Sequence, residues 1–134
     1  MSEFEDDLRL TSTKVLMALD ITVLKRKEEI IASISGKIDI SSYDIFIKKL
    51  HELLLSGRPT VILDLSGVVF ISSMGISAIL EARNYAANHN GKFILVGLSE
   101  RVYKIFDLIG ALEYLNIYKS VDEAIEVVTL KTSA

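Results

Sequence analysis

The sequence predicts an α/β domain: a mixed, largely parallel sheet of about five strands covered by about four helices. Three observations carry this. Short runs rich in β-branched residues alternate along the chain with stretches of helical period. Residues 60–65 form an apolar β run, broken near its end by Asp64, as in strands buried on both faces of a sheet. The first two strands are separated only by a tight Lys27-Glu28-Glu29 connection, which makes them an antiparallel hairpin beside parallel strand–helix–strand units.

The elements follow in order. Residues 21–27 and 29–35 read as the hairpin, with Gly36 interrupting the second strand. Ser41, with Asp44 three residues on, reads as a helix N-terminus with an acidic first turn. Ile45, Phe46, Leu50, Leu53 and Leu54 give that helix its apolar stripe, and Gly57 and Pro59 end it. The strand at 60–65 follows, and residues 67–71 read as the crossing to the next helix. That helix should run from about Ser73 to about His89. Ile76, Ile79, Leu80, Ala82 and Ala86 face inward, and Gly91 supplies the left-handed cap. Residues 92–96 read as a buried strand. Ser99 and Gly110 bound a helix carrying Val102, Ile105, Phe106 and Ile109. Residues 114–118 read as the last strand, and Ser120 to Glu123 as a capping box opening the last helix.

Composition narrows the function. The chain has 134 residues, half of them hydrophobic and a quarter charged, which suits one soluble domain. Without cysteine it has no disulfide, redox dyad or thiolate-bound metal. The first 20 residues hold Glu3, Glu5, Asp6, Asp7 and Asp20 against Arg9 and Lys14. They carry the whole net charge of −3. The remainder is balanced, with dispersed cations, and lacks the electrostatic footprint of a nucleic-acid binder. No apolar run reaches the length of a membrane span, and the acidic start is unlike a signal peptide. A cytoplasmic protein is expected. Its domain should occupy residues 21–130, between an acidic extension (1–20) and a short tail (131–134). The apolar segment 15–19 could pack on the domain edge or support a homodimer.

Enzyme chemistry has little support. His51 and His89 each lie on a helix without a paired carboxylate nearby in sequence. There is no phosphate-binding Gly-rich loop, no Gly-x-Ser-x-Gly elbow and no metal-ligand spacing. The stretch Ser72-Ser73-Met74-Gly75 stands apart. A helix cap needs one hydroxyl, and here there are two adjacent ones. The hydroxyl left over is available at the surface. A phosphate there would meet free N–H groups and the positive end of the helix dipole. It would add about −1.5 to −2 charge and repel a partner fitted to the neutral form.

Leu63-Asp64-Leu65-Ser66-Gly67-Val68, followed by Phe70-Ile71-Ser72-Ser73-Met74-Gly75, resembles the signature of STAS domains. These comprise bacterial anti-sigma factor antagonists and a related domain of sulfate transporters. Gly36-Lys37-Ile38-Asp39 resembles the family's earlier Gly-x-hydrophobic-Asp element, and the likeness spans about residues 20–129. The resemblance implies a STAS-like fold and a binding protein rather than a catalyst, without a cofactor of its own. It implies that an anti-sigma factor with serine kinase activity binds the domain and phosphorylates it, and that a separate phosphatase reverses this. The family motif reads Asp-Ser-Ser/Thr-Gly. Carried over, the phosphorylated residue is Ser73, Ser72 stands in the aspartate's place, and Met74 replaces the second hydroxyl. The implied partner-binding surface comprises Asp39, Ser41, Ser72, Ser73, Met74 and Gly75. The alternative is a STAS module that is not phosphorylated and serves a signalling scaffold or a transport complex.

Overall fold

The computed structural model describes residues 19–133. Residues 1–18 lie outside the described residues, which leaves of the acidic extension and the 15–19 segment only Leu19 and Asp20, and these open the first strand. Five strands and four α-helices follow in this order: β1 (Leu19–Lys25), β2 (Glu29–Ile38), α1 (Tyr43–Leu54), β3 (Thr60–Ile71), α2 (Ser73–Asn88), β4 (Lys92–Val96), α3 (Glu100–Ile109), β5 (Asn116–Tyr118) and α4 (Val121–Ser133). The strands lie side by side in chain order. β1 is antiparallel to β2, and every other pairing is parallel.

Strand parity explains how the sheet is covered. Ile30, Ala32 and Ile34 on β2, Val61, Leu63 and Leu65 on β3, and Phe93 and Leu95 on β4 share one face. That face packs against Phe46, Leu50 and Leu53 of α1, Ile76 and Ile79 of α2, and Val102 and Phe106 of α3. Ile31, Ile62, Ile94 and Val96 point the other way, onto Ala124 and Val128 of α4. Three helices therefore cover one face and a single helix the other. Burying one large aliphatic or aromatic side chain contributes roughly 1.5–3 kcal/mol, so a two-sided core of this kind holds without disulfides.

The structure departs from the expected boundaries where tertiary pairing overrides local signals. Gly36 does not end β2, which runs on to Ile38 with Gly36 at φ 113°. The region read as a crossing, residues 67–71, is strand: β3 continues unbroken to Ile71. Its pairing with β2 absorbs two irregularities, and Gly67 sits at the closest approach, where a Cβ would run into the Ser35 side chain. Asp64, expected near the strand's end, is the last β3 residue paired with β4. Beyond it, residues 65–71 run past β4 and pair only with β2, which β1 still flanks as far as Gly36, so the ends of β2 and β3 form an arm beyond that point. At the end of α2 the left-handed position is Asn90, φ 62°, and not Gly91. Gly91 is needed instead for close approach, since a Cβ there would stand 3.0 Å from the Pro59 carbonyl oxygen. The expected strand at 114–118 is a one-turn 3-10 helix (Leu112–Tyr114) followed by the short β5. In the capping box, Ser120 Oγ accepts from the Glu123 N–H as expected, but Glu123 reaches back to the Lys119 N–H.

Candidate functional site

The tip of the β2–β3 arm carries the candidate site. Ile38 pairs with Ile71, so the residues after each strand emerge side by side. The Ser72 N–H donates to the Ile38 carbonyl at 2.8 Å, which ties the α2 start to the β2 exit. Asp39 follows Ile38 directly. Sequence-distant candidates Asp39 and Ser41 are thereby brought beside Ser72, Ser73, Met74 and Gly75.

The two serines divide their roles. Ser72 has extended backbone and caps α2, its Oγ accepting from the Gly75 N–H at 3.2 Å, while its carbonyl accepts from Ile76 at 3.0 Å. Ser72 is half-buried; Ser73, the first helical residue, is exposed. The first N–H groups of a helix have no carbonyl behind them to accept from within the helix, so the Ser73 side chain stands beside donors and the dipole's positive end. No acidic residue lies in the first turn of α2. Met74 beside it is 48 % exposed. Gly75 is buried: a Cβ would meet Ile71 Cγ1 at 2.8 Å and Ile38 Cγ2 at 2.9 Å.

The opposite lip is a tight turn built on Asp39. Its Oδ1 accepts from the Ser41 N–H at 3.0 Å and the Ser41 hydroxyl at 2.7 Å. Ser41, expected to cap α1, is thus committed to Asp39. Ser42 occupies the cap position but makes no side-chain cap bond. Its buried hydroxyl donates to the Lys37 carbonyl at 2.6 Å and accepts from the Asp39 N–H at 3.1 Å. This fixes the chain leaving β2, a role the sequence reading did not assign to Ser42.

The Ser41 hydroxyl, foremost, holds the Asp39 carboxyl below its ordinary value of 3.8. Desolvation opposes this, and the Ser41 and Ser42 N–H groups and the Ser42 hydroxyl add to the lowering. A carboxyl whose pKa is lower folded than unfolded contributes stability that is present above the unfolded value. That contribution is lost as pH falls through the folded one, here below 3.8. Ser41→Ala is expected to move the Asp39 titration upward, towards 3.8, in a carboxyl-carbon NMR titration. An unmoved midpoint would show that the hydroxyl does not hold the charge.

Exposed apolar residues lie next to these positions along the chain and, apart from Met74, were missed from sequence: Ile40 is 85 % exposed and Val69 52 %, with Phe70 also exposed. This apolar collar of four side chains in water suits a protein partner better than a small substrate. Among the described residues, no group of three or more His, Cys, Asp or Glu could hold a metal ion. No helix there is long and apolar enough to cross a membrane. The two histidines stay apart from the tip: His51 is exposed on α1, and His89 stacks on Tyr85 near the end of α2 with ring centroids 4.0 Å apart.

The STAS domain family model matches residues 20–124. The chain belongs to the STAS domain family. Its STAS domain is 27 % identical over 101 residues to the anti-sigma-B factor antagonist of Bacillus subtilis, a match covering 75 % of this chain and 92 % of that one. The fold resembles an anti-sigma factor antagonist from Mycobacterium paratuberculosis, with TM-score 0.77, 20 % identity, and coverage of 84 % and 95 % of the two chains. It also resembles the Bacillus cell fate determinant SpoIIAA in its phosphorylated form, with TM-score 0.63, 20 % identity, and coverage of 81 % and 99 %.

Proposed function

We propose that this STAS domain is an anti-sigma factor antagonist that binds an anti-sigma factor with serine kinase activity and is switched off by phosphorylation of Ser73. The observation that carries the reading is the division of labour at the α2 start: Ser72 makes the cap bond and Ser73 is left exposed. The partner docks on the apolar collar and the Asp39–Ser41 turn, with Gly75 letting the helix start sit flat on the strands. It transfers the γ-phosphoryl group of its own ATP to Ser73 Oγ, and the serine proton is released. The domain supplies the acceptor and the docking surface and no catalytic group. A phosphatase restores the neutral hydroxyl. The kinship with antagonist proteins supports this reading.

The test is phosphorylation in native lysate with ATP, read by phosphopeptide mass spectrometry. Phosphate is expected on Ser73 of the wild type and nowhere on the 72–75 stretch of Ser73→Ala. A second reading has its own support. Ser72 removes the family aspartate's charge and Met74 removes the second hydroxyl, which suits a module that binds without being modified, in a signalling scaffold or a transport complex. Ser73 unmodified under every growth condition would select that reading.

A further inference from the structure

We propose that the outer edge of β1 pairs with β1 of a second copy of this chain, joining two sheets into one. Exposed sheet edges carry unpaired N–H and C=O groups, and proteins blunt them with short strands, proline, bulges or charge. The β5 edge is blunted by being three residues long. β1 is not. It runs seven residues in unbroken one-to-one register with β2, and its sequence has no proline or glycine. Among the described residues nothing pairs with its other side. Val23 and Leu24 on it are exposed.

The hydrogen-bond phase says which groups face outward. The Arg26 N–H donates to the Glu29 carbonyl at 2.8 Å, so Arg26 and Glu29 form a hydrogen-bonded pair. Antiparallel pairs alternate, so Leu24, Thr22 and Asp20 also turn their backbone groups towards β2. The backbone groups of Lys25, Val23, Ile21 and Leu19 therefore face away from the sheet. A two-fold axis through Val23 makes these outward groups meet: Val23 faces Val23, and Ile21 faces Lys25. The same register sets the Asp20 carboxylate of one copy opposite the Arg26 guanidinium of the other, which also pairs with its own Glu29 at 3.1 Å. The alternative axis through Thr22 sets Asp20 opposite Leu24 and loses that charge match. The Ser72–Ser73 tip uses neither the outer edge nor these residues, so the pairing is independent of the switch.

Proline at Val23 provides a selective test. Val23 turns no N–H towards β2, so Val23→Pro spares the internal ladder and removes a donor only from the outer edge. The wild type is expected to dimerise with rising concentration in sedimentation or light scattering. Val23→Pro is expected to stay monomeric with an unchanged melting temperature. The chain has no cysteine, so Val23→Cys gives a single thiol. Facing Cα atoms of a hydrogen-bonded antiparallel pair stand roughly 5.5 Å apart, within disulfide reach. Val23→Cys is expected to oxidise to a covalent dimer, a readout that stands even where the proline variant misfolds. A wild type monomeric at every concentration overturns the proposal, as does a folded Val23→Pro that dimerises normally. So does a Val23→Cys that yields no linked dimer.

Discussion

Ser73→Asp is expected to keep the fold and lose the partner. Ser73 is exposed and packs into nothing that a carboxylate would disrupt. At the first position of α2 a negative charge sits at the positive end of the helix dipole, worth about 0.3–1 kcal/mol in favour of the fold. Melting temperature should therefore hold or rise slightly. Binding should move in the opposite direction. A surface fitted to a neutral hydroxyl within the collar of Ile40, Val69, Phe70 and Met74 would have to bury the new charge unpaired. That penalty is on the order of 3 kcal/mol, roughly a hundredfold in affinity. A pull-down from native lysate, comparing wild type, Ser73→Ala and Ser73→Asp, checks both parts. A kinase-like protein should be retained by the first two and lost with the third. Equal retention by all three would remove Ser73 from the interface.

The opposite signs expected for stability and binding follow from features that were only partly legible in the sequence. The serine pair was legible because capping chemistry is local: one hydroxyl reaches the Gly75 N–H, and its neighbour cannot also do so. The strand–helix alternation was legible because the two-residue and 3.6-residue periods differ. The β3 extension was not. Residues 67–71 contain a glycine and no clean alternation, and only pairing with β2 around two irregularities keeps them extended. Val68 is buried while Val69 beside it is exposed. A two-residue period puts adjacent valines on opposite faces but does not say which face is left uncovered, so the collar needed coordinates to be seen. Ser42 was hidden for a related reason. Its bond to the Lys37 carbonyl exists because β2 runs past Gly36 to Ile38. In the α2 cap, Asn90 takes the left-handed position expected of Gly91, while the nearby Pro59 carbonyl leaves little room for a Cβ at Gly91.

Gly75→Val is expected to produce the largest loss of stability at the site. In an exposed helix, replacing glycine usually gains stability, because glycine has the most backbone freedom to lose. Gly75 reverses that expectation. Its missing side chain lets the first turn of α2 lie against the ends of β2 and β3, where Ile38 and Ile71 are fully buried. The atom nearest a new Cβ is Ile71 Cγ1, close to the backbone and not the free end of a flexible chain. Valine adds two further methyl groups to that contact. Relief requires α2 to lift off the arm, which would stretch both the Gly75–Ser72 cap and the bond from Ser72 to Ile38. Overpacking of this kind costs about 3 kcal/mol, at the upper end of its usual range. For a domain of this size that lowers the melting temperature by roughly 10 °C. The variant should also lose its partner at temperatures where it remains folded, since Ser73 and the Asp39 turn would no longer share one surface. Alanine is the graded comparison, because it keeps the Cβ contact but omits the two methyls, and its loss should be smaller. A Gly75→Val protein that melts with the wild type would mean that Ile38 and Ile71 yield freely. The strand ends would then not fix the position of the switch serine.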